Sequence, residues 1–158
     1  MRKALAVFVA VGFVSVFAQQ AGQSIEPPPG SRLLLEAKAE GAQIYTCTNS
    51  QWVLKAPDAK LLDASGQVIG SHFAGPTWRM NDGSEVKGKL IASQPAPDGK
   101  SIPWLLVGAV PGSGSGKLAD VAYIQRTETS GGAAPKEACT TGELPVQYAA
   151  KYSFYASK

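Results

Sequence analysis

Val146-Gln-Tyr-Ala-Ala-Lys-Tyr-Ser-Phe-Tyr155, near the C-terminus, is the stretch on which the fold class turns. Val146, Tyr148, Ala150, Tyr152 and Phe154 share one face of an extended chain, and Gln147, Lys151 and Ser153 share the other. A period of two is the signature of a pleated strand and is hard to reconcile with a helix. Moving toward the N-terminus, Asp120–Thr127 (DVAYIQRT) and Ile102–Val110 (IPWLLVGAV) read as two further strands. The second is almost continuously apolar, which predicts burial on both faces or a central place in a sheet. Pro103 sits near its start, where a missing N–H costs least.

Farther back, Asn81-Asp82-Gly83 is a strong hairpin signal between Thr77–Met80 and Glu85–Ser93, because Asp-Gly accepts the positive φ of a tight turn. Val68–Phe73 follows a Ser65-Gly66 turn. Gln43–Thr48 (QIYTCT) is rich in β-formers, and Asn49-Ser50 turns the chain into Gln51–Leu54. Arg32–Lys38 runs into Glu40-Gly41, read as a hairpin turn. The one helix candidate is Pro57–Asp63, with proline near its start and Asp58 in its first turn. The 17 glycines and 11 prolines argue against long helices. The expectation is an all-β chain: an antiparallel β-sandwich or flattened barrel of about ten short strands, with at most one short helix.

The first stretch reads as a leader. Arg2 and Lys3 precede an apolar run of 13 residues, Leu5 to Phe17, then Ala18 and polar Gln19-Gln20. That order is a secretory signal peptide, and the run is short of the roughly 20 residues a membrane span needs. The expected organisation is a signal peptide over 1–18, a Pro-rich lead-in over 19–31 containing Pro27-Pro28-Pro29-Gly30, and a single β domain over 32–158. No later segment would span a membrane. The destination would be periplasmic or extracellular. Of 15 Lys+Arg and 12 Asp+Glu, the leader holds two basic residues, leaving 13 against 12. No basic cluster beyond Lys87 and Lys89 marks a nucleic-acid footprint. Two cysteines in an exported chain point to a Cys47–Cys139 disulfide. The competing readings are two buried thiols or a metal site. Two cysteines and one histidine, far apart and without C-x-x-C, make a poor zinc signature.

The chemical motifs are sparse. Gly112-Ser-Gly-Ser-Gly116-Lys117 fails as a phosphate loop, since Pro111 stands where the first glycine belongs and Leu118 where Ser or Thr belongs. It reads as a flexible strand connection. His72 is the only histidine, so every His-dependent mechanism passes through it, with Asp63 or Asp82 as the available acids. No G-x-S-x-G elbow exists. Trp52, Trp78 and Trp104 would form a stacking platform only if they lined one surface. Arg79 and Arg126 each lie in or beside a strand, where an arginine can grip a carboxylate bidentately, although an internal ion pair is the commoner use.

Seven blocks of sequence carry a family resemblance. They are Gln43-Ile-Tyr-Thr-Cys47 with Trp52; Gly70-Ser-His-Phe-Ala-Gly-Pro-Thr-Trp78; Asp82-Gly-Ser-Glu-Val86 with Gly88; Ile102-Pro-Trp-Leu-Leu106; Tyr123-Ile-Gln-Arg-Thr127; Ser130-Gly-Gly132 to Pro135 with Cys139; and Tyr148 to Tyr155. In these the chain resembles the secreted bacterial and fungal family called domain of unknown function 3455. The resemblance implies export, one domain and paired cysteines; it does not imply an activity. A dehydrogenase reading would need G-x-G-x-x-G after a strand and βαβ alternation, and neither is present. If the family shares a site, its candidates are His72, Trp78, Asp82, Trp104, Gln125 and Arg126.

The expectation for function is an exported binding module for a small molecule, a glycan or an envelope partner, with no cofactor and no metal. Two alternatives stand beside it: a hydrolase or lyase using His72 with a nearby carboxylate, and a structural envelope protein with no small-molecule site.

Overall fold

A computed structural model describes residues 24–158, so the expected signal peptide over 1–18 lies outside the described residues. The described chain is all-β. Its strands are β1 (Arg32–Thr48), β2 (Gln51–Leu62), β3 (Val68–Phe73), β4 (Thr77–Met80), β5 (Glu85–Gln94), β6 (Trp104–Ala109), β7 (Val121–Gly131) and β8 (Glu143–Ala156). Each pairs antiparallel with its sequence neighbour, and β8 returns to pair with β1, from Arg32 opposite Ala156 to Thr46 opposite Glu143. The sheet is therefore a closed, up-and-down, eight-stranded barrel. Closure removes the free edges that an open sandwich would have to protect.

Three expectations are corrected. Of the two expected architectures, sandwich and flattened barrel, the chain adopts a barrel, and it has eight strands in place of about ten. Glu40-Gly41 does not turn the chain but lies inside β1, opposite Lys60 and Ala59 of β2. A side chain at Gly41 would drive into the Asp58 carbonyl oxygen and the Ala59 backbone, so glycine is there for close strand approach. Pro57–Asp63 is not helical, because its residues up to Leu62 belong to β2. Among the described residues the only helical element is a 3-10 turn, Gly116–Leu118, inside the Gly-Ser connection. That connection is stitched to β5, with Ser113 and Ser115 hydroxyls accepting from the Lys87 and Glu85 N–H groups at 3.1 and 3.0 Å.

The alternation read in the last strand places the core. Tyr148, Ala150, Tyr152 and Phe154 point into the barrel, where they meet Trp78, Val86, Val107, Ile124 and Leu118. Charged residues such as Glu36, Lys38, Glu40 and Lys60 alternate with these inward positions and are left exposed or half-buried. The apolar run of β6 is buried on both faces for a separate reason. Leu106 faces outward, where Ile25 of the lead-in packs over it together with Ala92, Trp104 and Tyr123. The lead-in is held there by Gln125, whose Nε2 donates to the Ile25 carbonyl at 3.1 Å.

The turns divide into two sets at opposite ends of the barrel. The β2–β3, β4–β5 and β6–β7 connections lie at one end, and the β1–β2, β3–β4, β5–β6 and β7–β8 connections at the other. The Cys47–Cys139 disulfide, with Cα atoms 5.8 Å apart, fastens the β7–β8 connection to the end of β1 at this second rim. Backbone bonds reinforce it, from Cys139 N–H to the Ser50 carbonyl and from Cys47 N–H to the Gly142 carbonyl. A closed loop of this length stabilises the fold by about 4–5 kcal/mol in the chain-entropy account.

Candidate functional site

Each end carries a hollow of similar volume, about 380 Å³ at the first and about 360 Å³ at the second, but the two are finished differently. At the first end the 3-10 turn drops Leu118, 1 % exposed, into the barrel against Val121, Ile124 and Phe154. Its polar groups are paired. Ser84 Oγ accepts from the Lys117 N–H at 2.9 Å, Asp82 Oδ1 from the Ser84 N–H at 3.0 Å, and Asp82 Oδ2 faces Lys117 Nζ at 3.1 Å. The Ser84 bonds, followed by Lys117, hold the Asp82 carboxyl down at about 2.

At the second end a cavity of about 360 Å³ opens into the barrel between β1, β2, β3, β4, β6, β7 and β8. This falls within the range of small-molecule sites, about 300–1,000 Å³. Eight-stranded barrels have an interior that side chains just fill or that holds one small ligand. One wall is aromatic. His72 and Trp78 face each other across the β3–β4 pair and stack at 4.5 Å with rings 13° apart. Tyr152 stands edge-on to both, at 5.0 and 5.5 Å. Gly88 makes room for the indole, since a side chain there would meet Trp78 and Val107.

His72 is buried and its Nδ1 lies 2.9 Å from the Thr77 carbonyl oxygen. A carbonyl only accepts, so the proton sits on Nδ1 and Nε2 is the acceptor. Burial pushes the imidazole down to about 4, against the Thr77 bond and with help from the Arg126 charge, so the ring is neutral at neutral pH. Burial likewise pushes the Tyr148 and Tyr152 hydroxyls upward, so both are protonated.

Arg126 forms the opposite wall. It is 9 % exposed and lies between Leu105 of β6 and Tyr152 of β8. Its Nε and Nη2 both donate to the Pro103 carbonyl, at 3.0 and 2.8 Å. Among the described residues it has no carboxylate partner, and no Asp or Glu lines the cavity. Around it, Trp78 Nε1 and Gln43 Oε1 lack hydrogen-bond partners, and the Tyr148 and Tyr152 hydroxyls, close to one another and to Arg126, make no hydrogen bond of good geometry. Native interiors leave few such atoms, and three of the five found in the described chain, on Gln43, Trp78 and Tyr152, belong to residues that line the cavity.

The structure therefore brings together His72, Trp78 and Arg126 from the six candidate residues. It does not bring Asp82, Trp104 or Gln125 to them. Asp82 belongs to the turn at the far end, where Asp63 also lies, so neither acid reaches His72. Trp104 and Gln125 face outward on β6 and β7, packing and tethering the lead-in. The residues that sequence reasoning missed are Gln43, Tyr148, Tyr152 and the Pro103 carbonyl. Gln43 had a usable signal: on β1 it continues the inward series Ala37, Ala39, Gly41 and is 2 % exposed, a polar residue on an apolar face. The turn assigned to Glu40-Gly41 interrupted that series.

Compared with known proteins, residues 27–156 match a family model described as a protein of unknown function, DUF3455. No curated protein and no solved structure matches the chain.

Proposed function

Because the chain belongs to the DUF3455 family, whose description names no function, we propose a function from the cavity alone: a non-catalytic binding module that holds a small molecule in the open end of its barrel. The observation that carries this reading is the cluster of buried, unpartnered polar atoms on side chains around one cavity. Leaving such atoms unpaired costs about 1–3 kcal/mol each, and the expense is recovered when a bound molecule supplies the partners. The aromatic wall of His72, Trp78 and Tyr152 favours a ligand with a flat or apolar body. A hydrolase or lyase using His72 has less support, since the cavity lining offers no acid and the imidazole is neutral and bonded to a backbone carbonyl. Export belongs to the same proposal. The disulfide suits an oxidising compartment, and among the described residues no helix is long and apolar enough to cross a membrane.

The test is a titration of the oxidised protein with a library of small planar molecules, followed by the indole N–H resonances. Ligands are expected to move the Trp78 resonance and raise the melting temperature, while Trp52 and Trp104, which do not line the cavity, stay still. Leu105→Trp, which fills the cavity, is expected to abolish both effects. Shifts confined to Trp52 or Trp104, or a library without a single hit, would contradict the proposal.

A further inference from the structure

We infer that the ligand carries a carboxylate and that Arg126 is the residue that receives it; this rests on the reading of the cavity as a small-molecule site. The argument is one of donors and acceptors. A guanidinium has five N–H donors and no acceptor, and it keeps its charge in proteins. In Arg126 two of the donors, one on Nε and one on Nη2, go to the Pro103 carbonyl. That leaves three, two on Nη1 and one on Nη2; the Tyr152 hydroxyl lies near enough to take one of them, and none meets a carboxylate among the residues lining the cavity. Nη1 and Nη2 together form the edge on which a carboxylate binds with two parallel hydrogen bonds. The bond to Pro103 fixes the guanidinium plane from its other side, so this edge is held in place before a ligand arrives.

Donors outnumber acceptors around it, although Gln43 Oε1 and His72 Nε2 can each accept. Trp78 Nε1 can only donate, and the buried hydroxyls of Tyr148 and Tyr152 remain protonated. No carboxylate from the chain answers them. A buried charge without a counter-charge is costly, and an incoming anion supplies both the charge and the missing acceptors. A single guanidinium, with no second cation buried beside it, matches one negative charge better than the two of a phosphate monoester. The cavity's other cation, Lys55, is exposed on the rim and already paired with Glu143. The neighbouring His72–Trp78–Tyr152 wall selects acids with an unsaturated or aromatic body over small hydrophilic ones. Gln125, adjacent in sequence, plays no part, because it points out of the barrel.

The experiment pairs acids with their neutral amides. Benzoate, cinnamate and hexanoate, each beside benzamide, cinnamamide and hexanamide, are titrated into the oxidised chain, with inorganic phosphate as a further arm. The acids are expected to bind at least about tenfold more tightly than their amides, as the loss of a charge-assisted bond implies. The unsaturated acids should exceed hexanoate, and phosphate should not bind. Nitrogen resonances of the Arg126 side chain should shift with acids only, a readout that needs no substitution. Arg126→Gln is expected to remove the preference for acids, and Arg126→Lys, which keeps the charge, to recover part of it. Equal binding of acids and amides, or an acid preference that survives Arg126→Gln, overturns the carboxylate inference and leaves the cavity reading standing. Absence of binding by every acid and every amide overturns both. Tight binding of phosphate in preference to the carboxylates also overturns it.

Discussion

The two ends of the barrel are built from the same eight strands, yet they use their side chains differently. At the closed end Leu118, Phe154 and Ile124 are packed to 1 % exposure or less, and Asp82, Ser84 and Lys117 satisfy one another. At the open end a cavity enters the barrel. A guanidinium is buried there without a counter-charge, and polar atoms on Gln43, Trp78 and Tyr152 lack partners of good geometry. The first arrangement is what stability alone selects. The second gives up stability at a defined place, which is the pattern of a site that waits for a ligand. The contrast gives each end its own mutational signature.

The largest expected effect is at the closed end. Leu118→Ala should cost about 3–5 kcal/mol by urea denaturation, the usual loss for a buried leucine, and leave ligand affinity unchanged in whatever fraction stays folded. A variant that loses affinity and not stability would erase the division between the ends. Next comes the rim of the open end. Replacing Cys47 and Cys139 together by serine should cost about 2–5 kcal/mol and weaken binding as well, because the bond secures the connection beside the cavity.

Acid sharpens the comparison. His72 is held at about 4 in the folded state against an ordinary 6.5. The unfolded chain therefore takes up a proton first as pH falls. Stability is complete above about pH 6.5 and declines as pH drops toward 4, by about 3 kcal/mol in all. Denaturation midpoints at pH 7.5, 6 and 5 should fall steadily, and His72→Phe should flatten the trend. Asp82 and Asp98, held at about 2 chiefly by Ser84 and Ser101, contribute losses only below the ordinary carboxylate range, so their window is separate. A decline confined to pH below 4 would mean that His72 is not buried as described.

The smallest effect belongs to Lys55. It lines the cavity but is exposed, and its pairing with Glu143 is screened by solvent. Lys55→Gln should leave the denaturation midpoint in place and slow the association of acidic ligands only at low salt.

Much of this fold was legible from local pattern. The alternation over Val146–Tyr155, the Asn81-Asp82-Gly83 hairpin and the Asn49-Ser50 turn all report geometry carried by adjacent residues. The closure of β8 onto β1 was not legible, because it joins residues 97 to 124 positions apart and leaves no local mark. The strand count failed at two places for stated reasons: Gly41 serves close approach inside a strand, and Pro57-Asp58 interrupts the alternation of β2 without ending it. The site was half legible. His72, Trp78 and Arg126 stood out as chemistry-bearing residues, but so did Gln125. Only the register of β7 with β8 decides that Arg126 faces Tyr152 inside while Gln125 faces Ser153 outside.

The most direct test of the contrast is the stability of Arg126→Met measured by urea denaturation with and without saturating cinnamate. An arginine buried without a counter-charge can be exchanged for an apolar side chain at little or no cost, and the Pro103 carbonyl, on an exposed residue, can turn to water. The account predicts a variant at least as stable as the natural chain in the absence of cinnamate, and no longer stabilised by adding it. A variant that loses several kcal/mol and is still stabilised by cinnamate would place Arg126 in the framework of the barrel and contradict its assignment to a ligand.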